Sequence, residues 1–156
     1  AKASNGFVLE LGVFTGEGST TAIQDGLMGH EHALHVSVDW QDVMREEHRP
    51  STSWWHLVVG VSRVVETRDQ VLSIAGTRRP GLIFIDTDHN YGQMKAELEL
   101  WSPLAREDTV WLFHDTHMYG APNVEMVKAI TEFADTHGWI YEDYRQDSHG
   151  LGRMHR

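Results

Sequence analysis

The sequence predicts an α/β fold of three layers, with a mostly parallel sheet between helices and a C-terminal strand running antiparallel to its neighbour. Three observations lead there. Apolar runs rich in Val, Ile and Leu recur along the chain, and several are separated by segments whose apolar residues have helical spacing. The runs are continuous, not alternating, as expected of strands buried on both faces. Towards the end the pattern changes, because two strand-like runs are joined only by QDSHG, too short for the crossover that parallel neighbours require.

Taken in order, the strand-like runs cover residues 7–13, 33–40, 56–61, 82–85, 110–113 and 139–144, followed by 151–156 beyond Gly150. Met94, Leu98 and Trp101 fall at i, i+4 and i+7, so they share one face of a helix over 91–104. Val127, Ile130 and Ala134 do the same over 123–137, where Gly138 provides the stop. The stretch 45–55, with HRPSTSWW, reads as a surface loop; its Trp54 and Trp55 either cover the core or stack on a ligand.

At 156 residues the chain has room for a single domain, 1–156, with a real core. Hydrophobic residues at 40% and charged ones at 23% indicate neither disorder nor a membrane span, and no apolar run approaches the roughly 18 residues that a spanning helix needs. The start lacks the pattern of a signal peptide and there is no cysteine, so a cytoplasmic setting is the expectation. A formal charge of −10 argues against a nucleic-acid partner, since phosphate backbones are held by Lys and Arg. It is otherwise read as solubility.

Chemistry concentrates at the ends of the strands. The segment VLELGVFTGEGSTTAIQDGL is a strand, a glycine-rich turn and a helix start. Glycines at 12, 16 and 18 let backbone approach a ligand, while Ser19 and Thr20 stand where an N-cap is expected, above orphan amides. A tight bend with no ligand is the alternative reading of such a turn, and the less favoured one. The second strand ends at Asp39, about twenty residues on, where an acid can accept hydrogen bonds from ribose hydroxyls. Further along, IFIDTDHNY delivers Asp86, Asp88 and His89, and TVWLFHDTHMYG delivers His114, Asp115 and His117. Burying such charge needs compensation, and a divalent ion shared by Asp86 and Asp115 on adjacent strand ends would supply it. The bland reading of His89 is a helix-start residue bonded to solvent. His30-Glu31-His32 lacks the spacing of a helical zinc motif, and Asp147-Ser148-His149 sits in one turn, where neighbours seldom point together; both are expected to face solvent.

The pattern Glu10-x-Gly12-x-x-x-Gly16 departs from the dinucleotide fingerprint and resembles the signature of class I S-adenosylmethionine-dependent methyltransferases. With Asp86-x-x-His89 and the residues ending the fifth strand, the chain is similar to metal-dependent O-methyltransferases of the macrocin and sugar-modifying kind and their cephalosporin-hydroxylase-like relatives. That resemblance runs from Phe7 to the final strand. It implies a Rossmann-like methyltransferase sandwich and a methyl transfer from S-adenosylmethionine to a hydroxyl of a small molecule, a sugar or related natural product. Carried over residue by residue, it implies cofactor contacts at Glu10, Gly12, Thr15, Gly16, Ser19, Asp39, Val61, Ser62 and Asp86, a divalent metal (Mg or Mn) on Asp86, His114 and Asp115, and His89 as catalytic base.

Two departures bear on this. Gly60-Val61-Ser62 stands where those enzymes have Gly-Asp-Ser, so the adenine contact falls to backbone amides. His114 replaces a glutamate, leaving three outcomes open: a softer metal such as Mn²⁺, a magnesium with fewer protein ligands, or no metal. The resembling enzymes also carry extra N-terminal helices, which implies a chain that is minimal, trimmed or completed by another subunit; homo-oligomer formation stays open. Two other functions compete. A metallohydrolase could use Asp86, Asp88, His89, His114, Asp115 and His117, leaving the glycine turn unexplained, and a non-catalytic cofactor-binding module would account for Val61 and His114.

Overall fold

The computed structural model describes residues 6–118, 121–145, 147 and 149–156. Its strands are β1 (Gly6–Leu11), β2 (His35–Asp39), β3 (Trp55–Val59), β4 (Arg79–Ile85), β5 (Val110–His114), the short β6 (His117–Met118) and β7 (Ala121–Pro122), then β8 (Ile140–Arg145) and β9 (Leu151–His155). The helices are α1 (Ser19–Leu27), α2 (Val65–Ala75), α3 (Tyr91–Trp101) and α4 (Val124–His137). Seven strands make one sheet in the order β3-β2-β1-β4-β5-β9-β8, parallel from β3 to β5 and antiparallel at β9 and β8. The α/β architecture with its antiparallel end is therefore as the sequence implies.

Strand order explains where the helices go. From β1 the chain steps outward to β2 and β3, then crosses back to β4 and continues to β5. Right-handed crossovers put the helix of the first excursion, α1, on one face and those of the return, α2 and α3, on the other. There α3 packs against both α2 and α4. The reversal between β1 and β4 opens a crevice at the carboxyl ends of these two strands, the usual ligand position in such sheets.

The core follows from the continuous apolar runs. Leu9, Leu11, Val36, Val38, Ile83, Ile85, Trp111 and Phe113 are fully buried in the sheet, and Met94, Leu98, Trp101, Met126 and Ile130 meet them from α3 and α4. The α4 stripe is centred on Met126, Ile130 and Phe133, with Val127 at its margin, and Gly138 ends the helix in the left-handed conformation at φ 70. Because Ile130 has no exposed surface, Ile130→Ala should destabilise the protein by about 2–5 kcal/mol, read as a lower urea midpoint.

Several boundaries differ from the sequence expectation. The helix expected over 91–104 ends at Trp101 and tightens into a 3₁₀ turn over Ser102–Leu104, since Pro103 has no N–H to continue the α ladder. Helix α2 was not anticipated: it buries only Thr67, Val71 and Ala75, too few to make an apolar stripe. The fifth strand stops at His114 because Asp115 turns the chain at φ 59; His117 and Met118 belong instead to a separate two-stranded ribbon with Ala121 and Pro122. Tyr119 and Gly120, at the end of the segment TVWLFHDTHMYG, lie outside the described residues, as do Gln146 and Ser148 of the last connection.

The loop over 45–55 is confirmed apart from one 3₁₀ turn, Glu46–His48, and Trp55, which opens β3. Trp55 donates its indole N–H to Ser37 Oγ at 3.0 Å and lies under the Arg49 guanidinium, so it serves packing. Among the described residues, no helix is long and apolar enough to cross a membrane.

Candidate active site

The end of β1 and the end of β4 touch. Gly12 sits at φ 89 beside Asp86, whose carbonyl oxygen would lie 1.9 Å from any Cβ at position 12. Only glycine fits such an approach. Around this contact a cleft of about 530 Å³ opens, a size suited to a small-molecule ligand. It is lined by Gly12 and Asp86 and reaches Asp39, Trp40, Val61, Ser62 and Gln93.

The glycine turn is held from below. Asp39 Oδ2 accepts from the amides of Val13 at 2.8 Å and Phe14 at 2.9 Å, so its carboxylate both faces the cleft and pins the turn. Phe14, at φ 50, and Trp40 are 73% and 70% exposed at the mouth of the cleft, apolar surface in search of a flat partner. Gly16, at φ 78, packs its missing Cβ position onto buried Met44.

Some expected cofactor residues stand elsewhere. Glu10 is fully buried beneath the turn and is not a wall of the cleft. Its Oε1 accepts from Ser19 Oγ at 2.8 Å and Thr20 Oγ1 at 3.0 Å, its Oε2 from Ser37 Oγ at 2.7 Å, and His35 Nε2 lies 3.0 Å away. Gln24 and His35 Nδ1 are 2.8 Å apart, which leaves Nε2 to carry the ring hydrogen towards Glu10. So many donors compensate a buried carboxylate and tie α1, β1 and β2 together. Glu10 therefore stands below the turn, outside the lining of the cleft. Nor do Ser19 and Thr20 cap α1: Gly18 takes that position, and both hydroxyls turn inward to Glu10. Thr15, Gly16 and Ser19 are likewise not among the cleft-lining residues, whereas Gly12, Asp39, Val61, Ser62 and Asp86 are.

Beyond Asp86 the cleft edge meets the cluster at the end of β5. Ligand atoms of Asp86, His114 and Asp115 lie within 4.8 Å of one another, close enough for one divalent ion to bridge. His114 Nδ1 is 3.0 Å from Asp115 Oδ1 and 3.5 Å from Asp86 Oδ2, while His89 Nε2 is 3.0 Å from Asp115 Oδ2 and 3.7 Å from Asp86 Oδ1. Both ring nitrogens are buried yet not aligned for a hydrogen bond. The carboxylates of Asp86 and Asp115 with the His114 imidazole are a donor set that fits a cation.

Charge coupling is strong here. Burial pushes the Asp86 carboxyl up, but His114 and His89 beside it outweigh that and bring its pKa down to about 2. The neighbouring Asp86 carboxylate raises both imidazoles above their usual range against the opposing effect of burial. Asp88 is exposed and lines the cleft beside Asp86; His117 lies against Asp143 at 3.3 Å. His30, Glu31 and His32 are exposed as expected, Asp147 pairs with Arg145, and His149 stands 3.9 Å from Asp115.

Sequence reasoning missed a second buried carboxylate. Glu97 on α3 accepts from Ser62 Oγ, from Gln93 Nε2 at 2.7 Å and from Thr87 Oγ1 at 2.8 Å. Burial raises its pKa, against the pull of those donors. The signal was present: Gln93 and Glu97 are polar residues adjoining the Met94–Leu98–Trp101 stripe. Trp40, directly after Asp39, was also passed over.

With this geometry in place, the sequence over residues 9–116 matches the family described as "Methyltransferase domain". The chain belongs to that methyltransferase-domain family. No curated protein matches it. Among solved structures, the chain is similar to CalS11, described as a TDP-rhamnose 3'-O-methyltransferase of calicheamicin biosynthesis, with 16% identity and a TM-score of 0.68, covering 96% of this chain and 71% of that one. NovP, an O-methyltransferase, gives 13% identity and a TM-score of 0.68, covering 97% and 71%. MycE of mycinamycin biosynthesis, solved with Mg, S-adenosylhomocysteine and mycinamycin VI, gives 14% and 0.63; the match covers 96% of this chain but only 44% of MycE, so this chain spans less than half of that relative. At such identities the likeness is one of fold.

Proposed function

We propose that this domain transfers the methyl group of S-adenosylmethionine to a hydroxyl of a small molecule, a sugar or related natural product, with a divalent metal and His89 assisting. One observation carries the reading: the glycine-turn cleft and the acid–imidazole cluster meet at Asp86, which belongs to both. A donor in the cleft would then stand beside groups able to activate an oxygen. The names of CalS11, NovP and MycE support the same class of substrate. A hydrolase built on the cluster alone would leave the cleft and Asp39 without a role.

The roles follow from position. Asp39 would hold the ribose hydroxyls, and the amides of Val61 and Ser62 would face the base. Asp86, ionised at neutral pH, would face the positive sulfonium. Asp86, His114 and Asp115 would hold the metal; two carboxylates and an imidazole suit Mn²⁺ or another first-row ion better than Mg²⁺. Such an ion, when bound, supplies orientation of the substrate oxygens and a lower hydroxyl pKa. His89 Nε2 takes the hydroxyl proton while the oxygen bonds to the methyl carbon and the carbon–sulfur bond breaks, giving an ether and S-adenosylhomocysteine.

Calorimetric titration with S-adenosylmethionine, with and without Mg²⁺ or Mn²⁺, tests this reading; absence of binding under every condition eliminates it. Asp115→Ala is expected to bind S-adenosylmethionine like the parent and to lose the metal response. An unchanged response would put the ion elsewhere.

A further inference from the structure

We propose that Gln93, locked in one amide orientation by Glu97, is the residue that selects a 6-amino purine in the cleft. This rests on the cofactor reading above and deepens it.

Strand order fixes which end of an elongated ligand lies where. Along the carboxyl edge of the sheet, the sequence of positions is Ser62 beyond β3, Asp39 at the end of β2, Gly12 beyond β1, Asp86 beyond β4 and Asp115 beyond β5. The reacting group must lie at the Asp86–Asp115 end, where the acid–imidazole cluster stands. With Asp39 holding the ribose midway, the base falls at the β3 end, against Ser62 and Gln93, both of which line the cleft.

The polar atoms at that end are nearly all committed. Ser62 Oγ donates to Glu97 and accepts from Gln93 Nε2 at 3.0 Å, and its carbonyl accepts from the Trp101 indole at 2.8 Å. Gln93 Nε2 uses its two hydrogens on Ser62 Oγ and Glu97 Oε1. A carboxylate only accepts, so the Gln93 amide cannot turn over without setting oxygen against oxygen. Its Oε1 has no hydrogen-bond partner among the described residues and is the acceptor left for a ligand. An acceptor held at this place takes a hydrogen from an exocyclic amine and repels a carbonyl oxygen. Glu97 itself is fully buried, so it acts as a positioning residue through Gln93 and Ser62. It places an acid behind the end of β3, where Val61 carries none.

The test is a pair of calorimetric titrations, with S-adenosylhomocysteine and with S-inosylhomocysteine, which carries a 6-oxo group in place of the amine. The parent protein should prefer the adenosyl compound by about 10- to 100-fold. Gln93→Met, of similar volume, should bring that ratio close to one. Glu97→Gln replaces the obligate acceptor with an amide that can offer either atom, frees Gln93 to turn, and should lower the ratio several-fold. A merely structural Glu97 would weaken both compounds together and leave the ratio unchanged, which would overturn its positioning role. Equal affinities for the two nucleosides in the parent protein would overturn the assignment of Gln93 whatever the variants do. Failure to bind either compound would instead remove the cofactor reading on which the proposal stands.

Discussion

Alanine at His89 is expected to lower methyl transfer by about 10²- to 10⁴-fold, the usual contribution of a positioned general base, while S-adenosylmethionine affinity stays at the parent level. His89 does not line the cleft, so its removal leaves the donor's contacts in place. It stands instead over the cluster, its Nε2 3.0 Å from Asp115 and 3.7 Å from Asp86. That closeness allows a rival role as a further metal donor, and the two roles separate in measurement. A base lost to alanine lowers kcat and spares metal affinity; a ligand lost to alanine weakens Mn²⁺ binding directly. The expected result is a collapse of turnover with an unchanged Mn²⁺ isotherm. Full activity in the variant would remove His89 from the chemistry altogether.

How much of this could be read from the chain differs with the kind of signal. Buried parallel strands announce themselves as continuous apolar runs, so the sheet was legible from residue 7 onward, and the short QDSHG connection gave away the antiparallel end. The contact between the turn and Asp86 was legible as two motifs but not as a juxtaposition, since strand order is a property of the whole topology. Roles within the glycine turn were harder. Glu10 reads as a motif residue in one dimension, yet its partners His35 and Ser37 come from the next strand, and they hold it under the turn, outside the lining of the cleft. Glu97 was hidden for the opposite reason: helical spacing drew attention to Met94, Leu98 and Trp101, and a carboxylate beside that stripe reads as solvent-facing until Ser62 and Thr87 are brought onto it from other elements. Asp115 shows the limit of strand patterning, because its left-handed turn ends β5 with no glycine to mark it.

Gly12→Ala carries the largest stability effect expected of a methyl group added at any of the described glycines. The added carbon would stand 1.9 Å from the carbonyl oxygen and 2.6 Å from the carbonyl carbon of Asp86, both backbone atoms of the neighbouring strand, and φ 89 is strained for any L side chain. Neither strand can yield cheaply: Asp86 N donates to Leu11 O at 2.8 Å, and Gly12 N donates to Val38 O at 2.9 Å on the other side. Relief requires β1 and β4 to part where the cleft begins, so stability should fall by about 3–5 kcal/mol, a large share of the total for a domain of this size. Nucleoside affinity should vanish with it. Gly26→Ala supplies the contrast, since this helical position has open space for a Cβ and ordinary φ; there the protein should gain up to about 1 kcal/mol. The pair of variants tests the geometry that joins cleft to cluster. Were Gly12→Ala to melt and bind like the parent, the turn and Asp86 could not be in contact, and donor and base would no longer share a site.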